Sequence, residues 1–323
     1  MQKSSELSQA ESEPLWRKVL PFVFAVALIG FVLSRLDLPT FLRVIQRVNY
    51  WALAAFAVTF LFALLMTDSF ATREVYRRAV AQVDFKSLVT LRAASYLPSL
   101  LNHHVGQAWL TYFLSKVYGA PLWRVAGATL MVYATIIGGL ILIASVALPF
   151  KIAAIPWLAP SLGMLLLLGI IYLAILRARP KFLRDRQVTA PLVEVGVRGH
   201  LMLLLYRVPH LMVLFVGNWI PFELCGVHIP PEDALILIPV IMLVSALPIT
   251  PQGLGTRDAL ALQLFTRFAP GTLSEKTAAV ATATLSFAVS VTLVQVIIAP
   301  LFMARAQKLL AGKPTQPDLS PRA

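Results

Sequence analysis

The chain has 323 residues, of which 58% are hydrophobic and 13% charged, and its mean hydropathy of +0.77 is far above what a soluble core requires. The formal net charge of +13 falls in short Lys/Arg clusters between apolar runs, which argues against nucleic-acid binding and assigns the charge to membrane topology. A single cysteine, Cys225, excludes an internal disulfide and any multi-cysteine metal or iron–sulfur site.

In chain order, residues 1–18 are polar and mixed in charge and read as a cytoplasmic tail. The next run lacks a small-residue cleavage site at its end and reads as a retained span. A helix needs roughly 20 apolar residues to cross about 30 Å of hydrocarbon. About six full spans meet that condition, near residues 19–38, 50–71, 122–148, 157–176, 201–222 and 278–303. Two further apolar segments, 87–118 and 230–268, are interrupted at "YLPSLLNHHVGQ" and "ALPITPQGLGTRDAL", so each reads as a broken or re-entrant helix pair. The predicted fold class is therefore an all-α polytopic transmembrane bundle, with a transmembrane domain over 19–305 and a cytoplasmic tail over 306–323.

Basic clusters follow three of the spans: Arg73, Arg77, Arg78 and Lys86; Arg177, Arg179, Lys181, Arg184 and Arg186; Arg305, Lys308 and Lys313. All three are expected on the cytoplasmic side of a bacterial inner membrane, as are both termini. Glu223, Glu232 and Asp233, and the nearly uncharged join at Lys151, fit the outer side. This order makes halves 19–150 and 151–305 candidates for an inverted repeat, an arrangement that places a transporter's site near the midplane.

Irregular backbone survives in hydrocarbon only when protein or a watery cavity satisfies its polar groups. Pro248 and Pro251 cannot continue a helix, while Gly253 and Gly255 permit positive φ and close backbone approach, so these residues mark a break or gate. Thr256 is placed to cap the helix that follows. Its free N–H groups, with Arg257, favour an anion such as a phosphate, and Asp258 need not pair with Arg257. The bland reading of this motif is a packing kink with an ion pair. In the first break, Asn102, His103, His104 and Gln107 supply a polar cavity lining, and Gly106 allows close packing. Adjacent histidines without carboxylate or cysteine partners do not make a zinc site, so no metal is expected.

Among isolated polar residues, Asp68 and Glu223 read as interfacial, and Arg92 as either snorkelling to the surface or functional. Arg207 and His210, at i and i+3 beside Pro209, either extend a basic path for a head group or form a structural salt bridge. No Walker loop, nucleophile elbow or paired-carboxylate cluster is present, so neither ATP-driven pumping nor enzymatic catalysis is expected of this chain, and no cofactor is implied.

The segment order and the stretches "LPITPQGLGTRDA" and "SYLPSLLNHHVGQAWLTYFLSKVYG" resemble the lysylphosphatidylglycerol synthase transmembrane family over about residues 15 to 310. Pro251, Gly253, Leu254, Gly255 and Asp258 match its late motif, and Asn102 and Gly106 its early one. Gln252 stands where the family commonly has Gly, Asp258 where it has Glu, Gln107 at a commonly acidic place, His103 and His104 where proline is more typical, and Thr111 or Tyr112 near its expected Arg. The resemblance implies flippase-like translocation of a phospholipid or other polar-headed lipid. In bifunctional relatives a separate soluble synthase domain makes that lipid, and no such domain is expected within this sequence.

These readings converge on a lipid transporter, with a secondary carrier of a small solute or ion as the alternative. The expected binding residues are Arg257, Asp258, Thr256, Asn102, His103, His104, Gln107 and Arg207. The expected partners are a membrane phospholipid or lipid-linked substrate, a homo-oligomer copy, and a separate lipid-modifying enzyme.

Overall fold

A computed structural model describes residues 37–147, 158–246 and 255–312. Eleven α-helices account for nearly all of them: α1 Leu38–Gln46, α2 Tyr50–Ala79, α3 Phe85–Ser99, α4 His103–Val117, α5 Leu122–Ala147, α6 Leu158–Ala178, α7 Lys181–Arg184, α8 Ala190–Leu224, α9 Pro231–Ala246, α10 Thr256–Phe265 and α11 Leu273–Ala311. Five of them, α2, α5, α6, α8 and α11, are long and apolar enough to cross a bilayer. They coincide with five of the six expected spans. The bulk of the remaining one, and Pro248, Pro251 and Gly253, lie outside the described residues. Two boundaries differ from expectation. Leu38 opens a short helix, α1, whose Phe41 and Thr40 are buried while Leu38 and Leu42 are exposed, and α11, Leu273–Ala311, is longer at both ends than the expected span 278–303.

Contacts between side chains set the helix directions. Phe60 lies against Gly217 while Asp68 pairs with Arg207, so α2 and α8 run antiparallel. Gly127 approaches Val188 and Gly139 approaches Leu211, so α5 runs parallel to the chain leading through α8. Phe60 meets Phe287 at 5.4 Å between ring centroids, and further along Leu65 shares a cluster with Ala299, so α11 runs parallel to α2. The basic end of α2 therefore lies at the same end of the bundle as Arg305 of α11 and the starts of α5 and α8, where Arg124 pairs with Glu194 at 2.5 Å.

Both interrupted segments fold as helical hairpins whose ends meet. The Asp84 backbone N–H, just before α3, donates to the Tyr118 hydroxyl just after α4 at 3.1 Å. At the other hairpin, Arg267 beyond α10 pairs with Asp233 at the start of α9, 3.5 Å apart. Each arm of the first hairpin has 15 residues, and at 1.5 Å per residue it reaches about 22 Å, short of the hydrocarbon thickness.

The halves also exchange partners. The hairpin arm α3 packs on α11, and its counterpart α9 packs on α5; α4 packs on α5 as α10 does on α11; α2 and α8 form the central pair. This exchange, with α2 and α11 antiparallel to α5 and α8, has the form of an inverted repeat.

Two breaks are handled locally. At Gly196, φ is +63° and ψ 178°, a region open to glycine, and α8 is interrupted there. The Gly196 carbonyl accepts from His200 Nδ1 at 2.8 Å, and the other ring nitrogen of His200 meets the Tyr172 hydroxyl of α6 at 2.9 Å. At the first hairpin's tip, Asn102 caps α4 by accepting from the His104 N–H at 2.9 Å.

Two expectations follow. A Cβ on Gly106 would lie 2.8 Å from the Ser95 carbonyl and 1.7 Å from Ser99 Oγ, so Gly106→Ala forces α3 and α4 apart; thermal unfolding of the purified protein is expected to show a loss of about 1–3 kcal/mol. Outside the spans, Asp84 caps α3 by accepting from the Ser87 N–H at 2.9 Å, and that bond holds its carboxyl below the usual carboxylate range. The cap stabilises fully above that range and is lost as pH falls through the lowered value; Asp84→Ala is expected to cost about 1 kcal/mol at neutral pH and nothing in strong acid, read by unfolding at both.

Candidate functional site

The polar residues scattered through four helices meet at one buried centre. Asp68 on α2 is only 2% exposed, although it lies in the run "LLMTDSFA". Its Oδ1 accepts from Arg207 Nη1 of α8 at 2.7 Å and from Thr72 Oγ1 at 3.1 Å. Its Oδ2 lies 2.6 Å from Arg92 Nε of α3, an ion pair without hydrogen-bond alignment. Arg92 Nη1 then donates to Gln107 Oε1 of α4 at 2.8 Å, and Arg207 Nη2 to Thr72 Oγ1 at 3.3 Å. His210, one helical turn beyond Arg207, brings Nε2 to 3.9 Å from Asp68 Oδ1. A chain of hydroxyls continues from the Tyr76 hydroxyl to Thr129 Oγ1 and from Thr129 to Thr111 Oγ1, each link 2.8 Å.

The arithmetic of this centre is its main chemical property. Two guanidiniums surround one carboxylate, and among the described residues neither Arg92 nor Arg207 has a second acidic partner. With the histidines neutral, the cluster carries one uncompensated positive charge. Several buried donors also lack partners: Arg207 Nε, Gln107 Nε2 and His210 Nδ1. Burying charge in this way is costly unless it is compensated, so the arrangement suits an anion with several acceptor oxygens. Arg207 is fully enclosed, whereas the Arg92 side chain retains 13% exposure. His103 is exposed at the hairpin tip, its ring 5.8 Å from that of His104 and 6.4 Å from that of Tyr133.

Several sequence expectations change here. Asp68 is buried in the bundle, and Arg92, which retains 13% side-chain exposure, meets its countercharge there. Arg207 does form a salt bridge, with Asp68. Asn102 is a helix cap, while His104 Nδ1 lies 3.1 Å from the Tyr133 hydroxyl; Gln107 joins the charged centre through Arg92. The sequence does carry a signal for this centre: apart from the motif at 257–258, Asp68, Arg92 and Arg207 are charges isolated within apolar runs, and isolated charges in a bilayer pair with one another.

The late motif forms a different place. Gly255, with φ +81°, is the N-cap of α10 and Thr256 its first residue, so Thr256 is not the cap. Asp258 Oδ2 instead accepts from the Gly255 N–H at 3.0 Å, and Oδ1 pairs with Arg257 Nη2 at 3.2 Å, so the two adjacent residues do pair. Thr256, Arg257 and Asp258 thus do not join Gln107 and Arg207 at one site. Among the described residues, no group of three or more His, Cys, Asp or Glu is placed to hold a metal ion.

The family model described as the lysylphosphatidylglycerol synthase TM region matches residues 18–299. The chain belongs to that family. No curated protein and no solved structure matches it significantly. Membership of the lysylphosphatidylglycerol synthase TM family accords with the five apolar helices, and the matched region contains the buried centre and both hairpins.

Removing the shared countercharge in this family member leaves two arginines buried and facing each other. Asp68→Ala is therefore expected to destabilise by about 3 kcal/mol or more, and Arg92→Gln by less, because Arg207 remains paired; thermal unfolding in one detergent compares them.

Proposed function

We propose that this membrane protein translocates a phospholipid, or another lipid with an anionic polar head, by passing the head group through the bundle while the acyl tails stay in the bilayer. The observation that carries the reading is the buried excess of guanidinium over carboxylate at Asp68, Arg92 and Arg207. A phosphate entering beside Arg92 supplies the missing negative charge and offers oxygens to the unpartnered Gln107 and Arg207 donors. Asp68 then competes with the phosphate for the same guanidiniums. Such competition supports transport, since a site that holds its own counterion can release the cargo as readily as it takes it.

In this reading the two hairpins are re-entrant, entering from opposite faces, and the basic end of the bundle is cytoplasmic in a bacterial inner membrane. The chain transports and does not catalyse; a separate enzyme or existing membrane lipid supplies the substrate. His103 and the hairpin tip line the approach to Arg92.

The test is reconstitution in liposomes with a fluorescent phospholipid and a membrane-impermeant quencher. Wild type is expected to expose inner-leaflet lipid faster than empty liposomes, Arg92→Gln to lower that rate about tenfold, and Arg92→Lys to restore part of it. Rates equal to empty liposomes for wild type, or an Arg92→Gln rate equal to wild type, would overturn the reading. Uptake of a water-soluble anion without lipid movement would assign the centre to a secondary carrier.

A further inference from the structure

We propose that the Asp68 centre couples the anionic head group to a proton: His210 binds one proton as the anion arrives and releases it as the anion leaves, so that lipid and proton cross together. The anion rests on the function proposed above; the proton site rests on geometry. It needs no cavity of its own, only a base beside the charge it follows and free of hydrogen bonds that fix its protonation state. His210 is 4% exposed, its Nε2 lies 3.9 Å from Asp68 Oδ1, and its Nδ1 is buried with no partner among the described residues. His200, on the same helix, is the contrast, since both its ring nitrogens are engaged, by the Gly196 carbonyl and the Tyr172 hydroxyl.

At 3.9 Å, His210 and Asp68 are in charge contact without a hydrogen bond, and Oδ1 already accepts from Arg207 and Thr72. A phosphate that draws a guanidinium to itself leaves a carboxylate oxygen short of a donor. His210, one turn beyond Arg207 on α8, is placed to supply it. A neutral imidazole replaces the N–H alone, whereas the imidazolium replaces the N–H and the positive charge together. The groups that act on His210 by charge are Asp68 of α2, Arg92 of α3, His103 of α4 and Arg207 of its own helix. Every other charged residue on the helices packed against α8 lies in the first or last two turns of its helix, and Tyr133 and Tyr172 engage His104 and His200.

The charges around His210 make proton and anion help each other. Without an anion, a proton on His210 joins two guanidiniums that share one carboxylate and is repelled; a phosphate at the same centre offsets that repulsion. By linkage each ligand raises the affinity for the other by the same factor. The proton comes from water when the head group enters and returns to water on the other face when it leaves. A phosphodiester carries one negative charge, so the pair is neutral: a pH difference drives it across, and a membrane potential alone does not.

The experiment measures proton uptake as dihexanoyl-phosphatidylglycerol binds the full chain in detergent, from binding enthalpies in buffers of different ionisation enthalpy. The phosphodiester does not titrate near neutral pH, so any proton taken up is the protein's. Wild type is expected to take up roughly half a proton or more per lipid at about pH 7, and to bind about tenfold more weakly at about pH 8 than at about pH 6. His210→Gln and His210→Asn are expected to bind without proton uptake and equally at both pH values; two variants of different length keep the result from depending on one of them folding. His228→Gln, at an exposed histidine beside Glu223, is expected to keep the uptake. No uptake by wild type, or undiminished uptake in both His210 variants, would overturn the proposal, and absence of lipid binding at either pH would overturn it together with the translocation reading. Proton-linked binding in a protein that moves no lipid would uphold His210 as the linked site while translocation fails; lipid movement without proton uptake would overturn the coupling alone.

Discussion

The Asp68 carboxylate, held in the protein interior between Arg92 and Arg207, is the interaction on which the bundle's arrangement depends. It joins α2, α3 and α8 directly and α4 through Gln107. Lipid tails are as apolar as the side chains of a membrane helix, so apolar burial alone selects helix partners weakly in a bilayer. A desolvated ion pair selects strongly, because every arrangement that separates it strands a charge. The central antiparallel pair α2 and α8 thus has a fixed depth as well as a fixed face, with Phe60 against Gly217 at one level and Asp68 against Arg207 at another.

The hairpins depend on that frame. Each 15-residue arm of the first hairpin ends in backbone groups with no intrahelical partner, and buried groups of that kind survive only when neighbours supply bonds or when the site is wet. Asn102 supplies one such bond at the first tip, and Asp258 supplies the Gly255 bond at the second. Each hairpin is then clamped on the last span of the other half, α3 on α11 and α9 on α5.

An ion pair at such a place is a poor device for stability alone, since apolar residues of similar volume fill the space without a desolvation cost. Its stoichiometry is unequal: one carboxylate cannot saturate two guanidinium forks, and buried donors such as Arg207 Nε and Gln107 Nε2 are left without partners. The Arg257 and Asp258 pair, by contrast, is matched in charge.

By itself the sequence determined the membrane class, five of the described spans, the two interruptions and the family, because these depend on local quantities: apolar run length, proline and glycine positions, and basic residues at run ends. It also marked Arg257, Gln107 and the Asn102 region as unusual. It did not determine who pairs with whom. Asp68, Arg92 and Arg207 are 139 residues apart at their extremes, and single charges in apolar runs read equally as interfacial or snorkelling until the helices are placed. Only the tertiary structure decided that Gln107 and Arg207 share a centre and that Arg257 does not, since the depth of each residue follows from helix direction and hairpin packing. The same reason made Asn102 a cap and Asp258 a brace for Arg257: a side chain's role in a bilayer is set by which buried partner lies within reach.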